Sequence, residues 1–258
     1  MSVDLVFIVM LIGHVLGDFY LQTEKIVKKR KESIRAVFLH GLIYTLCMLI
    51  VLLVCIPITK YTVWLFVCVS ATHLLIDILK FFCIKSKKSF LQSEKQILIV
   101  DQGAHFATLT IVWWYLGQKV CVRGFISQEI MNLPNLPIII LLGVLCILRP
   151  ISILITHFKI WNYTNDANKE KNLNNNIVNE VKNAGRIIGY LERTIVFILL
   201  LYNQFGAMAF ILTAKSVARF KEIEQDKSKA EYYLIGTLLS VTSVLIITIA
   251  LGLCGSST

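Results

Sequence analysis

Histidine and aspartate recur at one spacing in the first part of the chain. GHVLGDFYLQ, residues 13–22, carries His14 and Asp18 four apart, with Gln22 four further on. THLLID repeats the pair as His73 and Asp77, DQGAH reverses it as Asp101 and His105, and His40 stands in FLHGL. Residues i and i+4 share a face of a helix, so each pair points an imidazole and a carboxylate the same way. Together these are the ligands of zinc or another borderline divalent ion. One helix supplies two ligands at this spacing, as in the HExxH helix of metalloproteases. A carboxylate not bound to metal can hold a ligand imidazole in one tautomer or act as a general base.

The segments that must position these groups are apolar. Of 258 residues, 56% are hydrophobic and 16% charged, and several apolar runs approach the length that crosses a bilayer as a helix. The composition therefore predicts an all-α, polytopic transmembrane helical bundle, because a helix satisfies its own backbone in lipid. The expected membrane segments lie at about 3–21, 36–56, 61–83, 97–117, 137–158, 190–213 and 232–253, about seven in all. The first run lacks a basic leader and a small-residue cleavage site, so it is expected to be retained. Cys47, Cys55, Cys68, Cys83, Cys121, Cys146 and Cys254 form no CxxC and are expected to be small apolar side chains, not a disulfide frame.

The net charge of +10 does not point to nucleic acid, because the basic residues sit in particular loops. Lys25, Lys28, Lys29, Arg30, Lys31 and Arg35 follow the first segment; Lys85, Lys87, Lys88 and Lys95 follow the third; Lys159, Lys169, Lys171, Lys182 and Arg186 follow the fifth. The positive-inside rule puts these loops in the cytoplasm and the N-terminus outside, with membrane lipids as the partners of the charge. Lys215, Arg219, Lys221, Lys227 and Lys229 break the alternation if 190–213 spans. YNQFG interrupts that run at Asn203, Gln204 and Gly206, so a re-entrant hairpin with both ends inside is the favoured alternative. The Asn-rich KEKNLNNNIVNEV marks a cytoplasmic linker, 159–185, between a bundle at 1–158 and C-terminal segments at 186–258.

With that orientation, His14, Asp18, His40, His73, Asp77, Asp101 and His105 all fall in the cytoplasmic half of the first four segments. Ionisable groups in a bilayer each cost a few kcal/mol, about 2.5–3.5 on insertion scales, so grouping them is favoured over scattering them. Adjacent glycines Gly13, Gly17, Gly41 and Gly103 suit close helix approach. In the second half, Gly185 and Gly189 offer a GxxxG face. Lys215, Arg219 and Arg186, near Glu192 and Arg193, offer a basic cradle for a phosphate headgroup.

The motifs GHxxGDFxLQ, HxxxD and DQxxH, with the later GRxIGxLER, AKSxxRF and EYxLIGTLLS, resemble the bacterial membrane family catalogued as domain-of-unknown-function family 3307 over nearly the whole chain. The resemblance names a family without an activity. More distantly, His and Asp on successive spans are similar to membrane-bound metal-dependent hydrolases and to seven-span ceramidase-type hydrolases, which imply a zinc-activated water. Spacing and helix order depart from the ceramidase pattern, so ligand identities do not carry over. The expectation is a metal-dependent hydrolase of the inner membrane acting on a lipid or lipid-like substrate. His14, His73 and His105 are the first-choice ligands, Asp18, Asp77 or Asp101 completes the shell, and a remaining Asp is the base. His40 is a ligand or proton donor, and a dinuclear site is open. A proton- or metal-coupled transporter and a non-catalytic membrane partner subunit are the alternatives; a homo-oligomer is open.

Overall fold

A computed structural model describes residues 4–86, 94–122, 136–163, 175–218, 220 and 227–253. All regular structure among them is helical: α1 Leu5–Val15, continued by a π turn Leu16–Tyr20; α2 Glu24–Arg30; α3 Ile34–Cys55; α4 Lys60–Lys85; α5 Glu94–Leu116; α6 Leu136–Tyr163; α7 Asn175–Leu201; α8 Phe205–Ala218; α9 Lys227–Ala250. Five segments are long and apolar enough to cross a membrane: Ile34–Cys55, Lys60–Lys85, Gln96–Lys119, Pro137–Thr156 and Tyr233–Ala250. Leu5–Tyr20 and Phe205–Ala218 are apolar but shorter. These helices suggest a multi-pass membrane protein. The chain forms two compact units, Met1–Leu142 and Gly143–Thr258.

In the first unit α1, α3, α4 and α5 form a closed ring of neighbours. Side-chain oxygens cap α1, α2 and α4: Asp4 accepts from Val6 N at 2.8 Å, Thr23 from Ile26 N at 3.4 Å and Thr59 from Thr62 N at 3.2 Å, satisfying N–H groups the helix leaves open. One end of the ring is a dry core of Val6, Met10, Met48, Leu52, Leu65 and Leu109. These come from the start of α1, the end of α3, the start of α4 and the end of α5, so neighbouring helices run antiparallel. The polar positions of the same helices therefore meet at the other end. Outward faces are apolar: Phe38, Leu42, Leu46, Trp64, Phe82 and Trp114 are exposed. That is the pattern of a bundle solvated by lipid.

Three glycines let these helices close. A Cβ on Gly13 would lie 2.8 Å from Met48 Sδ, on Gly17 2.6 Å from the Tyr44 ring, and on Gly41 2.7 Å from Leu74 Cδ1. Gly103 and Gly185 do not share this role, having nothing within 4 Å of an added Cβ; both face open space, so the spacing argument for them fails. Cys83 and Cys121 are exposed, not buried; the other described cysteines are buried or partly so, and Cys254 lies outside the described residues.

In the second unit the expected segment 190–213 is two helices. α7 ends in a Schellman cap: Gln204 N bonds Leu199 O at 2.8 Å and Asn203 N bonds Leu200 O at 3.1 Å, with Asn203 at φ 55. Asn tolerates this left-handed conformation better than other residues with a Cβ. The chain then reverses, and Lys215 Nζ on α8 meets Glu192 Oε2 on α7 at 2.6 Å. A continuous helix would separate residues 23 apart by about 35 Å. The Asn-rich stretch differs from the expected linker too, since α6 runs on to Tyr163 and α7 starts at Asn175; residues 164–174 lie outside the described residues.

α6 contains Pro150, which has no N–H for the carbonyl four residues back. That carbonyl belongs to Cys146, and the buried Arg193 of α7 binds the next two: its Nε donates to Ile147 O at 2.6 Å and its Nη2 to Leu148 O at 3.4 Å. Gly143 packs on Phe197 beside it. α9 closes in a second Schellman cap, with Gly252 at φ 67 and Leu253 N on Thr248 O at 3.0 Å.

Candidate metal centre

All seven histidine and aspartate positions meet at the polar end of the first unit, and all are buried. His14 and Asp18 come from α1 and its π turn, His40 from α3, His73 and Asp77 from α4, Asp101 and His105 from α5. Their short contacts run between helices, not along them. Within a helix, His14–Asp18, His73–Asp77 and Asp101–His105 are 3.9, 3.8 and 3.8 Å apart, beyond hydrogen-bond reach. The four-residue spacing puts each pair on one face, as expected, but the three carboxylates bond to other helices and His105 to the Asp101 backbone carbonyl.

Asp18 is the hub. Its Oδ1 accepts from His73 Nε2 at 2.9 Å and His40 Nε2 at 3.1 Å, and its Oδ2 from Gln102 Nε2 at 3.2 Å. The π turn makes this reach possible: Leu21 N bonds Leu16 O, five residues back, at 2.9 Å. Asp18 sits on this wider turn, 3.9 Å from His14 and within reach of α3 and α4. Such bulges concentrate at functional sites. Tyr44 stacks on His73 with centroids 3.5 Å apart and planes at 16°, and Gly17 leaves room for it.

Two cations neutralise the other two carboxylates. Arg30 Nη1 lies 3.1 Å from Asp77 Oδ2, and Lys80 Nζ 2.7 Å from Asp101 Oδ2. With its amide oxygen turned to Arg30, Gln22 accepts from Arg30 Nη2 at 2.9 Å and its nitrogen donates to the Asp18 carbonyl at 2.9 Å. Spacing had marked Arg30 only as a topology charge, and had not marked Lys80, Gln102 or Tyr44. Lys80 was detectable: HLLIDILK sets it three residues after Asp77 and seven after His73, one face of one helix.

The imidazole hydrogen bonds fix the chemistry further. His40 and His73 meet a carboxylate through Nε2, His14 Nε2 meets Gln102 Oε1 at 3.4 Å, and His105 Nδ1 meets the Asp101 carbonyl at 2.9 Å. Each partner can only accept, so each of these nitrogens donates. A neutral ring then presents a lone pair on its other nitrogen. Those atoms, Nδ1 of His14, His40 and His73 and Nε2 of His105, are buried without a hydrogen-bond partner, as is Asp101 Oδ1. Fixing one nitrogen by an acceptor to free the other is how metal-ligating histidines are held. Three triads bring ligand atoms within 4.8 Å of one another: His14–Asp18–His73, His40–His73–Asp77 and Asp77–Asp101–His105.

The residues proposed as a headgroup cradle are placed otherwise. Lys215 is bound to Glu192 and lies 5.2 Å above the Tyr233 ring. Arg186 is exposed on α7. Arg219 lies outside the described residues.

Residues 6–133 match the family described as protein of unknown function (DUF3307), a span that takes in the seven histidine and aspartate positions together with Arg30, Lys80 and Gln102. No curated protein and no solved structure matches the chain.

Proposed function

We propose that the first unit is a membrane-embedded, metal-dependent hydrolase acting on a lipid or lipid-like substrate from the cytoplasmic side. The observation that carries this reading is the set of three overlapping His/Asp triads with buried imidazole lone pairs. The Asp18 end suits a divalent ion best: the Nε2 atoms of His14 and His73 face the Asp18 carboxylate, an ion there would replace the protons those nitrogens carry, and Asp18 alone among the three carboxylates has only neutral donors as partners. A zinc-like ion bound there would lower the pKa of its water to about 7 and polarise an ester or amide carbonyl. The chain's own residues orient that site. Tyr44 holds the His73 ring, Gln102 ties His14 to Asp18, and His40 is placed on Asp18 to receive or return a proton. Apolar helix faces around the cluster favour a substrate delivered by the bilayer over one arriving through water.

The test is elemental analysis of detergent-purified protein beside His14→Ala and His73→Ala. Zinc or a similar ion in the wild type, lost in both folded variants, supports the centre, and turnover of ester- and amide-linked lipids then tests the chemistry. A folded, metal-free wild type would sink the reading. One observation favours a second reading in that event. His14, His105, His73 and His40 form a relay with ring centroids 5.4, 4.3 and 5.5 Å apart, so a proton path is the alternative, read as pH-driven flux in proteoliposomes.

For the membrane arrangement we propose a bacterial inner-membrane protein with its N-terminus outside and its basic segments in the cytoplasm. The α7–α8 reversal supports a re-entrant hairpin over a span at 190–213. It returns the chain to the side it entered from, which puts Lys215 and the basic residues after it on the same side as Arg186.

A further inference from the structure

We propose that the Asp77–Asp101–His105 end of the cluster is a second cation position that the chain fills with its own Lys80 ammonium, backed by Arg30, so that the centre takes one metal ion and not two. This rests on the metal reading above and says how many ions that centre holds. Seven ligand groups in three overlapping triads would otherwise suit a two-metal site, in which ions sit about 3.5–4 Å apart.

The distribution of positive charge decides the number. Both carboxylates of the third triad already have a cation: Lys80 Nζ is 2.7 Å from Asp101 Oδ2, and Arg30 Nη1 is 3.1 Å from Asp77 Oδ2. Asp18 has none. Three carboxylates and two fixed cations leave one negative charge, at the Asp18 end. The third triad also keeps ligand character that Lys80 does not use. Asp101 Oδ1 and His105 Nε2 are buried without partners, and His105 is 1% exposed. An ammonium has three donors and a +1 charge, so it neutralises the position while repelling a divalent ion from it. Lys80 and Arg30 reach in from the rim: their side chains are 24% and 15% exposed, against 6% and 4% for the carboxylates they hold.

The arrangement has a chemical use. A fixed ammonium beside a single ion can stabilise an oxyanion or phosphoryl oxygen as a second ion would, and no chelator can remove it. His73, Asp77 and Lys80 lie on one face of α4, so one rigid helix sets the distance between the metal end and the ammonium end.

The experiment is zinc titration with elemental analysis of full-length protein in detergent, for wild type, Lys80→Met, Lys80→Gln and Lys80→Arg. The expected result is one equivalent in the wild type and in Lys80→Arg, and about two in Lys80→Met and Lys80→Gln, with the added ion lost when Asp101→Asn is combined with either. Two equivalents in the wild type would overturn the proposal while leaving the metal centre standing. One equivalent in folded Lys80→Met and Lys80→Gln would also overturn it, since Lys80 would then block nothing. No metal in the wild type would instead overturn the functional reading on which the proposal rests. Lys80→Gln keeps a polar side chain at the rim, so one neutral variant remains readable if Lys80→Met fails to fold.

Discussion

Gly17→Ala should destabilise the protein, and the sign of the effect is the test. A helical glycine replaced by alanine ordinarily stabilises by about 0.5–1 kcal/mol. At position 17 the new Cβ would meet Tyr44 Cδ2 at 2.6 Å, whereas ordinary contact begins at 3.4 Å, so the ring must retreat by about 0.8 Å. Tyr44 is 1% exposed and its other face lies on His73 at 3.5 Å, so the push passes to the imidazole. A stacked ring pushes His73 across its own plane, whereas the 2.9 Å bond from His73 Nε2 to Asp18 Oδ1 lies in that plane, so the bond bends without breaking. Overpacking costs about 1–3 kcal/mol, a fall on the order of 5 °C in melting midpoint. The assay is thermal unfolding in detergent at fixed scan rate, with Gly103→Ala as control. Gly103 has nothing within 4 Å of an added Cβ, so its variant should gain slightly. The double variant Gly17→Ala/Tyr44→Leu should lose less than the sum of its parts, a coupling above about 1 kcal/mol. A stabilised Gly17→Ala, or strict additivity in the double variant, would refute the tight Gly17–Tyr44–His73 stack.

Arg193→Lys should cost about 2–4 kcal/mol, because a single ammonium cannot reproduce the guanidinium's bonds to Ile147 O and Leu148 O; an unchanged melting midpoint would show that the Pro150 backbone needs no cap. Lys215→Met should leave Glu192 without its ion-pair partner and lower the midpoint modestly. Both side chains are 22–24% exposed, which screens the pair to about 1 kcal/mol, and the charge-swapped double variant should recover most of the loss. A protease site inserted at 221–226 should be cut in inside-out vesicles and protected in spheroplasts, as should one at 164–174; opposite sidedness of the two would show that 190–213 crosses.

The seven groups meet at one end of the bundle because antiparallel neighbours turn a sequence interval into a height: His14 late in its helix and His40 early in the next must meet. What spacing could not give was azimuth. A four-residue interval puts two groups on one face but leaves them 3.8–3.9 Å apart, on the α turns and the π turn alike, so the pairs legible on paper are not the pairs that bond. Arg30 was hidden for another reason. It is delivered by α2, a seven-residue helix whose basic composition reads as headgroup charge until Gln22 and Asp77 are seen to hold it. Gly103 and Gly185 show the limit of reading glycine as close contact, since absence of a Cβ matters only where a neighbour would occupy its place. In the second half, YNQFG announced a break, yet only the Glu192–Lys215 contact tells a reversal from a kink.

The re-entrant hairpin proposed above would also impose an order on synthesis. Glu192 leaves the ribosome 23 residues before Lys215, an interval of roughly 1–5 s at ordinary elongation rates. Until then an inserted α7 arm would carry an unpaired carboxylate into lipid, at up to about 3 kcal/mol. The arm is therefore best kept at the membrane surface until its partner emerges, and the two enter as a neutral pair. A nascent chain arrested after Glu192 but before Lys215 has emerged from the ribosome should hold α7 outside the hydrocarbon, and release should let both arms in together; α7 found inserted in the arrested chain would refute this. In that arrangement, insertion would be a bimolecular-like step within one chain, timed by the appearance of a single lysine.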